Sequence, residues 1–195
     1  MKQGGGIKCA AMSASRPAAT WRRHLRHPAL SARQRGWLSD DGSLTARLRE
    51  RSSSFAVQVL RQRILRPGAD ESAALQIAPR EWAWGREVLL IADGVPRVFA
   101  HSLLARKHAR GPWQLFARMG ERPLGAALFA DPRIARQPLR FRRLDARHPL
   151  YRAAIRAAGI EAGSAPYLWA RRSVFTRGGK LLMVCEVFLP EAFAT

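Results

Sequence analysis

Two charged residues stand where the chain otherwise reads as apolar strand. In LLMVCEVFLP (181–190), alternation puts Leu181, Met183, Cys185, Val187 and Leu189 on one face. Leu182, Val184, Glu186 and Phe188 fall on the other. In WGREVLLIADGVP (84–96), Arg86 shares its side with Val88 and Leu90. A lone charge buried among such residues costs several kcal/mol, so it must be paired, neutralised or met by a ligand. One reading is structural, with Glu186 bonded to Arg171 and Arg86 to a nearby acid. The other makes that face a polar spot inside an otherwise dry pocket, where the orientation of a ligand is set. The residues alone leave both readings open.

The elements that must position these side chains are legible from turns and periodicity. Asp93-Gly94 lies between two apolar runs, and Gly178-Gly179 lies between two more, which predicts two long hairpins. Two-residue loops would set Arg86 opposite His101 and Arg171 opposite Glu186. A slip of one residue would turn either set to the other face. FAVQVL (55–60) reads as a strand and LRFRRLD (139–145) as an edge strand. Helices are predicted after Asp41 or Ser43 as N-cap, over 112–119, over 123–129 with Pro123 at the first helical position, and over 148–158 ending at Gly159. The fold class is therefore α+β, an antiparallel β-sheet covered by helices on both faces because its last strand is apolar on both.

Composition bounds the rest. The 195 residues suit one domain, with residues 1–35 as a flexible basic N-terminal extension carrying WRRHLRHP (21–28) and residues 36–195 as the folded unit. Met12 is an alternative start to Met1. The first 20 residues lack a signal peptide's continuous apolar run, no stretch is long enough to span a bilayer, and Cys9 and Cys185 make no disulfide framework, so a cytoplasmic location is expected. The net charge of +20 comes from 30 arginines and only four lysines against 14 acids. Such a surplus suits polyanions, an anionic membrane face or acidic substrates, and a GC-rich genome's codon usage is an alternative cause.

Four segments, GWLSDDGSLTARL, WGREVLLIADGVP, RPLGAALF and LWARRSVFTRGGKLLMVCEVFLP, together resemble the bacterial chorismate pyruvate-lyase family. The resemblance runs over nearly all of residues 36–195. It implies an antiparallel sheet with helical flaps over a buried ligand pocket, and conversion of chorismate to 4-hydroxybenzoate and pyruvate as the first committed step of ubiquinone biosynthesis. No cofactor or metal is implied. The family's substrate-binding positions fall on Arg86, Leu124 through its backbone, and Glu186, with a weaker match at Leu44. Glu186 is also the catalytic candidate, as a base or as a group that positions the substrate. Where the family carries an arginine this chain has His101 in VFAHS, which would attract substrate only when protonated.

Two readings from other classes compete. Regulator effector-binding domains are similar in fold to this family, but residues 1–35 are too few for the DNA-binding module that accompanies them. A nucleic-acid-binding protein would gather arginines and exposed aromatics on one surface, whereas the aromatics here sit largely in apolar runs. The expected partner is chorismate, with no specific nucleic acid, weak association with an anionic membrane as a further option, and a monomeric state.

Overall fold

The computed structural model describes residues 20–194 except 118 and 121. Seven strands, β1 (Phe55–Leu65), β2 (Ala83–Ala92), β3 (Val95–Ala105), β4 (Ala135–Arg136), β5 (Arg140–Leu144), β6 (Leu168–Arg177) and β7 (Lys180–Phe188), make one antiparallel sheet. Its order is β1-β2-β3-β7-β6-β4, with β5 pairing farther along β6. Both expected hairpins form, and their turn residues Asp93, Gly94, Gly178 and Gly179 all have the positive φ that this tight turn requires.

Six helices cover the sheet: α1 (Ala32–Ser39), α2 (Leu44–Glu50), α3 (Ala69–Leu75), α4 (Gln114–Ala117), α5 (Leu124–Ala130) and α6 (Pro149–Ala157). Ser43 caps α2 by accepting from Ala46, and His148 caps α6. The stretch predicted as a helix over 112–119 is a single turn, α4. Pro123 is the N-cap of α5 rather than its first helical residue. On one face, α3 and α6 pack over Leu89, Phe99, Leu103, Met183, Cys185 and Val187. The opposite face carries two apolar clusters. One gathers Trp37, Leu38, Leu44 and Leu48 of α1 and α2 over Val88, Leu90 and Phe188. The other gathers Trp113, Phe116, Leu124 and Leu128 over Leu104, Phe175 and Val184.

The boundary expected after residue 35 falls inside α1. Of the proposed extension, residues 1–19 lie outside the described residues. Arg22 pairs with Phe141 of β5 through reciprocal backbone bonds of 2.9 and 2.8 Å, and Leu30 is buried beside α1. The basic run at 21–28 thus lies along the sheet instead of standing clear of it.

One register expectation holds and the other fails. Arg171 faces Glu186 as the Gly-Gly turn predicts. In the first hairpin Ala92 pairs with Val95, but the register slips by one at Arg97, so Arg86 faces Ser102 and Glu87 faces His101. The cause is a β-bulge. The Arg97 carbonyl accepts from Leu189 N–H at 3.0 Å, and its guanidinium donates to the Glu191 carbonyl at 2.5 Å, so the C-terminal turn takes over the pairing that β2 gives up.

The slip turns His101 away from Arg86 and onto the α3 face. There Nε2 lies 3.4 Å from Glu71 of α3 and Nδ1 lies 3.4 Å from Glu87. At that separation the contacts are ionic rather than well-directed hydrogen bonds. Burial disfavours the imidazolium, but the two carboxylates outweigh it and raise the pKa from 6.5 to about 9. The expectation that His101 attracts substrate when protonated is therefore corrected: His101 is a buried cation between two acids, and an arginine there would serve the same purpose.

Because this folded-state pKa lies above the ordinary value, the clamp's stabilisation is complete below about pH 6.5 and lost as pH rises through about 9. His101→Arg keeps the charge throughout. Urea midpoints measured on both sides of that window should fall for the wild type and fall less for His101→Arg. Equal declines would refute the clamp.

Candidate active site

Between the two apolar clusters on the α1/α2/α5 side lies an enclosed cavity of ≈ 50 Å³. Its walls are Val88, Leu90, Ala100 and Val184 from the sheet, Leu44 from α2, and Leu124 and Leu128 from α5. Arg86, Leu124, Glu186 and Leu44, the positions singled out in the sequence, all line it. His101 does not. The two groups on which the sequence argument turns thus share one space, because β2 and β7 flank β3 and each presents its charged side chain to the same face.

Glu186 follows the structural reading in part. Its Oε2 accepts from Arg171 Nε at 2.5 Å, and Arg171, only 1% exposed, also donates to the carbonyls of Asp40 at 2.5 Å and Trp37 at 3.5 Å. A guanidinium here satisfies the carbonyls at the end of α1 and is held by an acid across the hairpin. Among the described residues, Oε1 of Glu186 takes part in no hydrogen bond, so one oxygen remains for a ligand.

Arg86 departs from the structural reading. It is 2% exposed, and among the described residues no acid pairs with it. Its Nη2 donates to the carbonyls of Gly120 at 2.9 Å and Arg122 at 3.3 Å, while Nε is buried with no partner. Burial pushes its pKa down, but a guanidinium stays protonated, so the cavity wall holds a cation with no acid beside it among the described residues. A buried N–H left open beside a cavity is what an incoming carboxylate would satisfy.

Leu124 opens α5, so its N–H has no acceptor within the helix and lies beside the cavity. Its side chain packs with Leu128 and Val184, so any polar contribution comes from the backbone. Gly125 brings α5 against α2: an added Cβ would stand 3.1 Å from Thr45 Oγ1 and 3.2 Å from Ser43 Oγ.

Four polar residues at this cavity, Thr45, Ser102, Arg136 and Ser173, escaped the sequence reading. Ser173 of β6 and Arg136 of β4 lie together, with Arg136 Nε and Nη2 donating to Ser173 Oγ at 3.0 and 2.8 Å. Among 30 arginines, Arg136 in the turn-rich DPRIARQP carried no pattern that set it apart. A larger open groove beside α4 and α5 contains Asp131, which pairs with both Arg133 and Arg177 at 2.9 Å.

Comparison with known proteins bears on this arrangement. The family model described as chorismate lyase matches residues 16–195. A probable chorismate pyruvate-lyase of Aromatoleum aromaticum is 54% identical over 88% of this chain and 92% of its own length. One of Thiobacillus denitrificans is 53% identical over 80% of this chain and 82% of its own. Among solved structures, a GntR-family transcriptional regulator of Bacillus cereus superposes with a TM-score of 0.54 at 12% identity, covering 71% of this chain and 94% of that one. The ligand-binding domain of a putative GntR-family regulator of Bordetella bronchiseptica does so with 0.51 at 18%, covering 72% and 85%. Those two likenesses speak for the fold alone. The family-model match and the identity to whole relatives make this chain a member of the chorismate lyase family.

Proposed function

We propose that this protein is a chorismate pyruvate-lyase that releases 4-hydroxybenzoate and pyruvate. The observation that carries the reading is that Arg86, which no acid meets among the described residues, and a half-engaged Glu186 line one apolar-walled cavity. A planar acid with a carboxylate at one end and a hydroxyl at the other matches that polarity. Arg86 and the Leu124 N–H would take the ring carboxylate, and the free oxygen of Glu186 would accept from the ring hydroxyl. The reaction breaks the ether bond to the enolpyruvyl group and removes hydrogen from the neighbouring ring carbon, the one that bears the hydroxyl. Two fixed ends hold the ring so that these bonds align, which is the positioning contribution to rate.

A cavity of ≈ 50 Å³ holds only a few waters and is too small for this substrate. Access then requires α5 and the segment before it to move off α2 as a flap, which would also release the Arg86 contacts to Gly120 and Arg122. The lining comes from a single chain, so a monomer suffices for activity. A reducing cytoplasm suits the buried free thiol of Cys185. The +20 charge would draw in a dianion and would also favour contact with an anionic membrane face. Among the described residues no helix is long and apolar enough to cross a membrane.

Purified protein incubated with chorismate should yield 4-hydroxybenzoate and pyruvate in equal amounts; absence of turnover would leave only a binding domain of this fold. Arg86→Ala should weaken ligand binding by about 1.5–3 kcal/mol, roughly 10–150-fold, with a much smaller change in thermal midpoint. Glu186→Gln retains a hydrogen-bonding group but no base. Substantial turnover is expected to survive in it, and its complete loss with substrate binding intact would make Glu186 an obligatory proton acceptor.

A further inference from the structure

The cavity wall carries three arginines, Arg86, Arg136 and Arg171, and one acid, Glu186. Glu186 is taken by Arg171 at 2.5 Å, and Asp40, the acid at the end of α1, is taken by Arg47 at 2.6 Å. Among the described residues Arg86 and Arg136 are left with neutral direct partners, although the charges of Glu186, Asp41 and Asp40 also act on Arg136. Arg86 is met by two backbone carbonyls. Arg136 is met by the Ser173 hydroxyl and the Asp41 carbonyl, with its guanidinium carbon 5.5 Å from the Phe129 ring centre and 5.7 Å from that of Phe175. Burial, and after it the neighbouring Arg171 charge, push the Arg136 pKa down, so the site favours an anion beside it. One carboxylate on the ligand would leave half of this imbalance in place.

We propose that Arg136 binds the enolpyruvyl carboxylate of chorismate, the anionic group that departs as pyruvate. This rests on the lyase reading above. In chorismate the ether-bearing carbon adjoins the hydroxyl-bearing carbon, and both lie away from the ring carboxylate. A ring held with its carboxylate at Arg86 and its hydroxyl at Glu186 therefore carries the enolpyruvyl group in the Glu186 half of the chamber. Arg136 belongs to that half: it donates to Ser173, two residues along β6 from the Arg171 that faces Glu186, and to the Asp41 carbonyl, next to the Asp40 carbonyl that Arg171 holds. When the ether bond breaks, its electron pair goes to the oxygen of the leaving enolpyruvate. The hydrogen lost from the neighbouring ring carbon balances the conversion of the enolpyruvyl methylene to the pyruvate methyl. Negative charge thus grows on the fragment that Arg136 holds, and its attraction strengthens as the bond opens. After cleavage 4-hydroxybenzoate has one carboxylate, bound elsewhere, and gains nothing from Arg136.

That asymmetry separates a substrate-binding role from a structural tie between the α2 approach and β6. Arg136→Gln and Arg136→Lys are compared with wild type for chorismate turnover and for the Kd of 4-hydroxybenzoate by titration calorimetry. Arg136→Gln should lower kcat/KM by about tenfold or more while the Kd for 4-hydroxybenzoate moves within about twofold, and Arg136→Lys should recover part of the loss. Arg86→Gln, by contrast, should weaken both ligands. Equal weakening of both ligands in Arg136→Gln, or unchanged kcat/KM, overturns the assignment while leaving the lyase reading intact. A wild-type protein inactive on chorismate overturns both.

Discussion

A guanidinium that is 1% exposed is tolerable only if an acid and several acceptors meet it, and Arg171 has both. Its partner Glu186 comes from the neighbouring strand, directly opposite in register, so the pair and the Gly178-Gly179 turn require the same alignment of β6 with β7. The same arginine draws in the carbonyls at the end of α1 and thereby seats α1 and the approach to α2 over the sheet. Burying such a pair is seldom more stabilising than an apolar contact of the same volume. What it supplies is position: a carboxylate with one oxygen held and one oxygen open to the cavity.

The two faces of the sheet treat charge differently. On the α3 face, His101 lies between Glu71 and Glu87, and the cation is met by acids on both sides. On the cavity face, Arg86 and Arg136 have only carbonyl and hydroxyl partners among the described residues. Leaving two cations in that condition beside an apolar-walled space costs stability that a fold under no other demand would recover by placing acids there. A dianionic ligand of the kind proposed would restore the balance, and because it would do so only when bound, the imbalance would become affinity for that ligand.

Turn chemistry made most of the sheet readable in advance. Asp-Gly and Gly-Gly between apolar runs fixed both hairpins, and the Gly-Gly turn alone placed Glu186 against Arg171. The first hairpin shows where such reading stops. Its turn was right, but the bulge at Arg97 depends on Leu189 and Glu191, about ninety residues away in the chain, and no local pattern announces it. That single inserted residue moved His101 from the cavity side to the opposite face. Arg136 was hidden for another reason: it sits on a two-residue strand with no apolar periodicity around it, and abundance masks individual arginines. Arg86 and Glu186 were accessible because each interrupts an apolar strand, whereas Leu44 and Leu124 were marked as site positions only by the family resemblance.

The likeness to regulator ligand-binding domains shows how little the backbone decides. The same layered arrangement is found in chains under 20% identical to this one, and a shared fold of that kind does not transmit chemistry. The distinguishing features are local. They are an arginine whose Nε has no protein partner, a glutamate with a single oxygen spoken for, and an α5 that lies against α2 because Gly125 lacks a side chain. Each would be a defect in a protein that had only to fold. Gathered at one cavity, they put a guanidinium at one end, a carboxylate oxygen at the other and α5 over both. Those properties require no further catalytic group if the substrate is already disposed to become aromatic: holding its two ends apart and excluding water lets the ring supply the driving force.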